Sequence, residues 1–401
     1  MKNAFRAISY PWRLYSGLDA LADLAEEVRR LKAKRAFVIC GQTVAHRTNL
    51  LGRIIDQLGG LYTGAFDRMD KDCTYPAVLA ATAAARDAAA DLIIATGGGS
   101  VIQGARVVVI LLAENRTAYD LMTQYPEGKP AYSPRLMAPK LPIINVPTTP
   151  TSAMNRAGSA LKNDELDHRM EFFDPKTRPA AIFWDSEALL TAPISLARST
   201  ATTTYTGSLQ NVVAPAMNPL VEGDHIQAYR LASRALPRLI DEPGNADLRI
   251  DLCAAAMLQN RAADDGSRGG RQAAWSTSYA LATAIHVRYD HVGQGEATSA
   301  VTPAVIRHTA AAGGDIAARL AGMLGVWKSG MSVEAAAAAA ADALAAFYQS
   351  IGMPARLRDL QIPEGDLPIL AGDTLMNFNA NPGDRPPDYV DRMLATLRAC
   401  W

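Results

Sequence analysis

The apolar positions in the first half of the chain fall into short runs separated by helical patterns. The run AFVIC at Ala36–Cys40 contains β-branched and aromatic residues and ends at Gly41, which is typical of a buried strand. A helical pattern at 50–58 stops at a glycine pair, and a proline opens an alanine-rich helix at 76–89. Strands that alternate with helices predict a parallel sheet with helices on both faces. Further strands are predicted at 92–96, 141–146 and 180–184.

Long helical patterns dominate the chain from about residue 186 onward. The alanine-rich pattern at 332–348 begins at Ser332, a residue type that caps helix N-termini. We therefore predict an α/β domain at 1–185 and an all-helical domain at 186–401, and we expect a ligand to bind in the cleft between them. The other helical patterns lie at 225–239, 247–262, 276–286, 301–312 and 316–324.

Composition places the chain among ordinary globular proteins. Half of the 401 residues are apolar, and 40 basic residues balance 40 acidic ones, so net charge gives no argument for a nucleic acid or membrane partner. The four cysteines are far apart and form no CxxC pair, which favours reduced thiols over a disulfide framework or a zinc knuckle. The start has no apolar signal region, and no apolar run approaches the length of a membrane span. We expect a cytoplasmic protein.

The sharpest local signal is a glycine-rich turn between a predicted strand and a predicted helix. Gly97, Gly98, Gly99 and Ser100 follow the strand directly, and the helix begins at once. Glycines let the backbone approach a ligand closely, and a helix N-terminus offers free N–H groups and a favourable dipole. This combination predicts a phosphate site, the alternative being a tight turn without a ligand. The motif is neither GxGxxG nor a Walker loop.

A second polar turn follows the strand predicted at 141–146. Pro147, Thr148 and Thr149 place two hydroxyls where that strand ends. In an open α/β sheet the carboxyl edge is where ligands bind. The same composition also occurs in ordinary turns, so this signal is weak by itself.

The order of these motifs resembles that of the iron-containing (group III) alcohol dehydrogenases and their dehydroquinate synthase-like relatives. Within that group the chain is most similar to the maleylacetate reductase branch. The resemblance covers nearly the whole chain, although Gln103 stands where most members have an Asp after GGGS. Besides the two turns, it is carried by Asp185 after the last strand, by APAMNPL at 214–220 and by GEA at 295–297.

The resemblance implies a Rossmann-like N-terminal domain that binds NADPH or NADH. The four residues at 97–100 would hold the diphosphate, and Thr148 and Thr149 would line the adenine and phosphate region. Many relatives end the first strand with an Asp that contacts the ribose, whereas this chain has Cys40, Gly41 and Gln42. Without that carboxylate a 2′-phosphate is not repelled, so NADP should be tolerated at least as well as NAD. A homodimer is expected from the family.

The resemblance also implies a divalent metal held by one Asp and three His of the helical domain. Alignment on the neighbouring motifs puts these ligand positions at Thr203, Gly207, Gln294 and near Ala280, with a further family histidine near Ala284. Hydroxyl, amide and methyl side chains bind iron or zinc poorly. Since 200–213 contains no Asp, Glu, His or Cys, a small shift of the alignment would not restore the set. We therefore predict that the protein has no metal.

Several residues are candidates for replacing the metal. Thr203, Tyr205 or Gln294 could donate a hydrogen bond to a developing oxyanion. His286 and His291 lie just before Gln294 and could act as general acid or base, although a histidine satisfied in a loop is an equally good interpretation. A relocated metal site at His286 and Asp290 would need ligands from elsewhere, and none converges in the sequence.

Substrate-binding candidates follow the Pro-Thr-Thr turn. Asn155 and Arg156 stand near the place of the family's Gly-Ser-Glu segment, and a guanidinium can bind a carboxylate with two hydrogen bonds. Arg268 and Arg271 are similar candidates, while surface arginines are the commoner case. An anionic substrate would agree with the reductase branch.

Three functions remain open from the sequence. The first is a metal-independent NAD(P)H-dependent reductase of a small, activated, carboxylated carbonyl or enone substrate. The second keeps the fold but performs non-redox chemistry such as elimination, hydration or ring opening. The third is a non-catalytic paralogue that binds a ligand or a partner enzyme. The fold does not decide among them, because function resides in the site.

Overall fold

The computed structural model describes residue 5 and residues 7–127, 129–214, 218–261, 273–310, 315–378 and 386–401. The chain divides into two compact units. One consists of Tyr10–Ala197 and Glu242–Cys253, and the other mainly of Arg198–Asp241 and Ala254–Trp401.

The first unit contains a six-stranded parallel sheet. Its strands are β1 (Arg13–Gly17), β2 (Ala36–Cys40), β3 (Tyr62–Phe66), β4 (Leu92–Gly97), β5 (Ile143–Pro147) and β8 (Ala181–Asp185). They lie in the order β1-β8-β5-β4-β2-β3, and every pair is parallel. The predicted parallel sheet is confirmed. A separate antiparallel hairpin is formed by β6 (Gly158–Leu161) and β7 (Met170–Phe173).

The four central strands are buried along their whole length, which explains their continuous apolar sequences. The helices of this unit cover the sheet. They are α1 (Leu24–Arg30), α2 (Gln42–His46), α3 (Leu50–Leu58), α4 (Tyr75–Asp87), α5 (Gly99–Ala113), α6 (Ala118–Leu121) and α7 (Ser186–Leu190). Between β4 and α5 there is no loop beyond the glycine turn, so the ends of β4 and β5 are brought directly to the start of α5.

The second unit is helical in its described part, as predicted. Its helices are α8 (Ile194–Val213), α9 (Pro219–Asp241), α10 (Ala246–Leu258), α11 (Ala273–Arg288), α12 (Gln294–Thr309), α13 (Ile316–Met323), α14 (Val333–Ser350), α15 (Leu367–Asp373) and α16 (Tyr389–Ala399). Two of them, α8 and α10, begin in the first unit. α8 and α12 touch through their backbones, because a Cβ at Gly295 would lie 2.1 Å from the carbonyl oxygen of Ser199. Glu296, next in the chain, accepts a hydrogen bond from the Ser199 hydroxyl.

All four cysteines are buried free thiols. Burial raises the pKa of Cys73 and of Cys400 to about 12, so both are protonated and inert at neutral pH. No helix in the described part of the chain has the length and hydrophobicity needed to cross a membrane.

Candidate active site

The glycine turn between β4 and α5 has the shape expected of a phosphate cradle. Gly97 has φ +153°, and a Cβ there would lie 2.7 Å from Val101. A Cβ on Gly99 would lie 2.9 Å from the Thr151 hydroxyl oxygen. Gly98 caps α5 without a side-chain hydrogen bond, so its first backbone N–H groups are not satisfied by a capping side chain. The turn therefore leaves the first backbone N–H groups of α5 available to an anion.

The two polar turns meet at this cradle. The Thr148 N–H donates to the carbonyl of Gly97 (3.0 Å), which joins the second turn to the end of β4. The Thr149 hydroxyl is fully buried and has no hydrogen-bond partner among the described residues. A Cβ on Gly98 would lie 3.6 Å from that hydroxyl oxygen. Leaving a buried hydroxyl unsatisfied costs about 1–3 kcal/mol, so a ligand oxygen at the cradle would remove that penalty.

Ser100 is held in place from the opposite side. Its hydroxyl accepts a hydrogen bond from the Asp72 N–H (3.0 Å), while Asp72 and Cys73 both have a positive φ. The hydroxyl uses a lone pair in this contact, so its hydrogen can point to a ligand. Small residues, a helix start and two hydroxyls thus fit the diphosphate of a nicotinamide dinucleotide.

Gly41 and Gln42 lie at the same edge of the sheet, because Cys40 pairs with Thr96 in the β2–β4 register. Gly41 caps α2, and a Cβ there would lie 3.0 Å from the carbonyl of Met69. Gln42 begins α2 and is exposed. These positions match a ribose-contacting edge in placement, and their role stays a prediction.

An acid does approach this edge, from the neighbouring strand. Burial raises the pKa of Cys40 to about 12, and the charge of Asp67, just after β3, contributes to the rise. Asp67 pairs with His46 (2.9 Å) and lies 3.9 Å from Arg68. Asp67 therefore brings a carboxylate near the edge where residues 40–42 supply none.

Asn155 and Arg156 end the short turn that packs on α5. Asn155 is buried and Arg156 is half-buried. The charge of Arg156 lowers the pKa of Arg106, so the two guanidinium groups are neighbours. Their proposed contact with a substrate stays a prediction.

The threonine run is helix α8, and most of its hydroxyls are satisfied by the helix itself. Thr202 donates to the carbonyl of Arg198 (2.9 Å), Thr203 to Thr200 (2.7 Å) and Thr206 to Thr202 (2.8 Å). Such backward bonds occupy the hydroxyl hydrogen. Thr203 can therefore accept a hydrogen bond from a ligand as it stands, whereas donating one requires breaking its bond to Thr200.

One side of α8 is less buried than the rest. Thr200, Thr203, Gly207 and Asn211 are half-buried and recur at helical spacing, whereas the residues between them are mostly buried. Two of the positions where relatives carry metal ligands, Thr203 and Gly207, lie on this side.

The residues at the implied metal positions do not fit a metal. Ala280 and Ala284 are buried on α11, and Gln294 is the half-buried first residue of α12. Within the part of the chain that the structure describes, no three His, Cys, Asp or Glu side chains are grouped so as to hold a metal ion. Hydroxyl, amide and methyl groups do not make an iron or zinc site.

Tyr205 belongs to an aromatic cluster. Its ring packs against Phe347 (centroids 4.6 Å apart) and Tyr229 (6.2 Å), and burial raises its pKa far above the usual value. Beside it, the hydroxyls of Thr206 and Tyr348 are 2.5 Å apart. A tyrosine so placed stays protonated, so it could donate a proton to a hydrogen bond but could not serve as a base at neutral pH.

The two candidate histidines both contact backbone carbonyls. Nδ1 of His286 lies 2.9 Å from the carbonyl of Val292, and Nε2 of His291 lies 2.9 Å from that of Leu360. His286 is two residues after Ala284 on α11, which puts it about 200° around the helix axis from that position. His291 is exposed. Their acid–base role stays a prediction.

Sequence reasoning gave no weight to two residues that the structure makes prominent. His225 on α9 is buried, its Nε2 has no partner in the described residues, and burial lowers its pKa in spite of a hydrogen bond with the Asn211 backbone. Arg106 on α5 is buried as well. No local sequence signal marks either one, because both depend on tertiary burial. Arg268, Arg271 and residues 215–217 of the APAMNPL motif lie outside the described residues.

Known protein families and solved structures match this chain. The family model for iron-containing alcohol dehydrogenase matches residues 11–186, and the model for the C-terminal part of the Fe-containing alcohol dehydrogenase family matches residues 209–401. A solved structure of 1,3-propanediol oxidoreductase has a TM-score of 0.83 and 21% identity, and the match covers 100% of both chains.

Two curated relatives show the range of similar enzymes. Lactaldehyde reductase of Escherichia coli (strain K12) is 24% identical over 360 residues, which cover 88% of this chain and 89% of the relative. Maleylacetate reductase 2 of Cupriavidus pinatubonensis (strain JMP 134 / LMG 1197) is 26% identical over 256 residues, 64% of this chain and 62% of the relative. The two identities are too similar to choose a branch.

Proposed function

Because the chain belongs to the iron-containing alcohol dehydrogenase family and is therefore an oxidoreductase, we propose that it is a metal-independent NAD(P)H-dependent reductase. Its substrate is a small carboxylated carbonyl or enone compound, as in the maleylacetate reductases that it resembles. The observation that carries the proposal is the cradle at 97–100, where a glycine turn leads directly into the start of α5 and the buried Thr149 hydroxyl beside it lacks a partner in the described residues.

The chain's own residues would act as follows. The start of α5 binds the diphosphate, and the hydroxyls of Ser100 and Thr149 donate to its oxygens. The dihydronicotinamide, when bound, supplies the hydride. The amide of Gln294, half-buried at the start of α12, donates a hydrogen bond to the developing oxyanion. Thr203 can join it only by releasing its bond to Thr200.

Metal independence is supported by the residues at the family's ligand positions. Thr203, Gly207, Ala280 and Gln294 offer no carboxylate, imidazole or thiolate. An activated substrate, whose carbonyl or double bond is already polarised by conjugation, would need less electrophilic help than a simple aldehyde. This is the reason for preferring a carboxylated, conjugated compound.

The test begins with binding and metal content. Quenching of tryptophan fluorescence by NADPH and by NADH should be saturable, and the purified protein should hold far less than one iron or zinc per chain. Absence of binding at millimolar nucleotide would refute the reductase proposal. Stoichiometric metal that is needed for turnover would refute metal independence.

Turnover is then measured after dialysis against EDTA. A panel of 2-oxo acids, maleylacetate-like compounds and simple aldehydes is followed at the dihydronicotinamide absorbance band. We expect activity confined to carboxylated compounds and unchanged by EDTA. A preference for simple aldehydes would contradict the proposed substrate class.

The non-redox alternative is favoured by one observation, which is the absence of an electrophilic group from the same four positions. It predicts that a product forms while the dihydronicotinamide absorbance stays constant. Product analysis by mass spectrometry in the same assays separates the two functions, because reduction adds two hydrogens and elimination removes the elements of the leaving group.

A further inference from the structure

Arg106 carries a charge that the described structure does not neutralise. It lies in the middle of α5 with 1% of its surface exposed. One nitrogen, Nη1, donates to the carbonyl of Gly158 (2.5 Å). The other two, Nε and Nη2, are buried and have no hydrogen-bond partner in the described part of the chain.

The charges around Arg106 are of the same sign. Arg156 follows the 152–155 turn and Arg178 follows the 175–177 turn, and both turns pack on α5. Burial is the main cause that holds the pKa of Arg106 below its usual range, and repulsion from these two arginines adds to it. No carboxylate is among the groups that shift this pKa.

The acid of the second turn is already neutralised. Asp174 lies 3.1 Å from the Nζ of Lys140 and 2.9 Å from that of Lys176. Arg178 stacks on the ring of Tyr10, with its guanidinium carbon 3.7 Å from the ring centroid. Asp174 is thus paired with two lysines and Arg178 is stacked on a tyrosine. Neither residue supplies an anion to Arg106.

A buried cation without a counter-charge costs several kcal/mol, and a well-packed apolar residue would avoid that cost. Nε and Nη2 are the adjacent nitrogens of a guanidinium, and their two N–H groups point in parallel. That pair matches two oxygens of a carboxylate or a phosphate. The unsatisfied atoms of Arg106 thus form one of the two forks by which a guanidinium binds an oxyanion.

We propose that Arg106, with Arg156 and Arg178 beside it, binds the oxyanion of a ligand through Nε and Nη2. Arg106 is seven residues after Gly99, which is about 10 Å along α5, and helical side chains lean toward the N-terminus. The oxyanion belongs either to the carboxylate of a small molecule or to a phosphate of the dinucleotide. The site needs only an anion, so it does not depend on the proposed reductase function.

The test measures thermal stability with inorganic phosphate, malonate or NADH, each against chloride at equal ionic strength. Wild-type protein should show a saturable rise in Tm, about 5 °C at a concentration 100-fold above Kd. Arg106→Met should lose the rise with malonate and with inorganic phosphate, whereas the rise with NADH should at most be reduced, because the cradle at 97–100 still binds the dinucleotide. Arg106→Lys should keep a reduced part, because an ammonium has the charge without the fork. Arg86→Met is the matched control, because Arg86 is exposed on α4 and its replacement should leave the rise intact.

Folding failure is controlled in the same experiment. In chloride alone Arg106→Met should melt at or above the wild-type Tm, because it removes an uncompensated buried charge. If NADH and malonate compete, the oxyanion is a dinucleotide phosphate, and if their effects add, it is a separate carboxylate. With malonate and inorganic phosphate, a rise of equal size in wild type and a folded Arg106→Met would overturn the proposal, as would a wild type that responds to none of the three ligands. Neither of these two results depends on turnover, so failure of this proposal is distinguishable from failure of the reductase proposal.

Discussion

Two places in the molecule depend on glycine for different reasons. At the cradle, a Cβ on Gly99 would meet the hydroxyl of Thr151, and the space it would fill lies at the start of a helix. At the α8–α12 contact, a Cβ on Gly295 would meet the backbone of Ser199 at 2.1 Å. Gly99 lets the Thr151 side chain pack against the start of α5, whereas Gly295 lets two helices touch. A glycine-rich motif therefore indicates binding only when a polar group beside it lacks a partner in the described residues, as the Thr149 hydroxyl does.

The threonine hydroxyls of the cradle and of α8 differ in whether the chain itself satisfies them. The Thr149 hydroxyl at the cradle is buried without a partner, whereas those of Thr202, Thr203 and Thr206 on α8 donate to carbonyls of their own helix. A buried donor without a partner is available to a ligand at a cost in stability, while a satisfied one stabilises the fold. The α/β unit thus has a buried hydroxyl that a ligand could satisfy, whereas α8 uses these hydroxyls within its own helix.

The largest effect is expected at the helix contact. Gly295→Ala should lower the free energy of unfolding of the helical unit by about 3 kcal/mol, because the backbones of α8 and α12 must separate. Urea unfolding followed by circular dichroism measures it. The control is Gly322→Ala on α13, where a Cβ meets nothing within 4 Å and helix propensity should add about 0.5–1 kcal/mol. Equal stability of the two variants would contradict the close contact.

The cradle should respond in affinity. Gly99→Ala is expected to weaken NADPH and NADH binding about 30-fold, or about 2 kcal/mol, because the added methyl group must displace Thr151 or the backbone at the start of α5, where the diphosphate is proposed to bind. Fluorescence titration gives the Kd. Gly52→Ala on α3, where a Cβ has open space, is the matched control and should leave the Kd unchanged. An unchanged Kd in Gly99→Ala would remove the cradle from the binding site.

A smaller effect is expected from the unsatisfied hydroxyl. Thr149→Val should weaken dinucleotide binding about tenfold, or 1.4 kcal/mol, while the free protein becomes no less stable because a buried polar group without a partner is removed. Thr82→Val on α4 is the opposite case. Its hydroxyl donates to the carbonyl of Val78 (2.7 Å), so it should lose about 1 kcal/mol of stability and keep its affinity. The same response in both variants would mean that Thr149 is an ordinary buried threonine.

Much of the α/β unit could be predicted because its signals are local. The strand AFVIC was predicted at the bounds that β2 has, and the helix at 50–58 coincides with α3. β1 was missed because its residues are largely exposed and it becomes a strand only by pairing with β8. β3 was missed too, since glycine interrupts its short apolar run. Sheet edges depend on neighbours that are distant in sequence.

The candidate site, too, was predictable only where its signals are local in the sequence. The glycine turn and the Pro-Thr-Thr turn are short motifs, so both could be named in advance. No helix was predicted at 194–213, because β-branched threonines disfavour helix, and α8 forms with their hydroxyls bonded to its carbonyls. Arg106 could not be found because an arginine in a sequence is most often a surface residue, and only tertiary packing on α5 buries it.

The smallest expected effect is a pH dependence of stability that comes from the helical unit and not from the cradle. Burial lowers the pKa of His225 below the unfolded value of 6.5, so between the two values the unfolded chain binds more protons than the folded one. Stability should therefore be complete above pH 6.5 and decrease as the pH falls below it. Urea titrations of wild type and His225→Gln at several pH values measure this, and the variant should lack the component that sets in at 6.5. Since the cradle contains no histidine, its dinucleotide Kd should show no such His225-dependent change, and a Kd that changes in parallel with stability would mean that His225 also acts on the cradle.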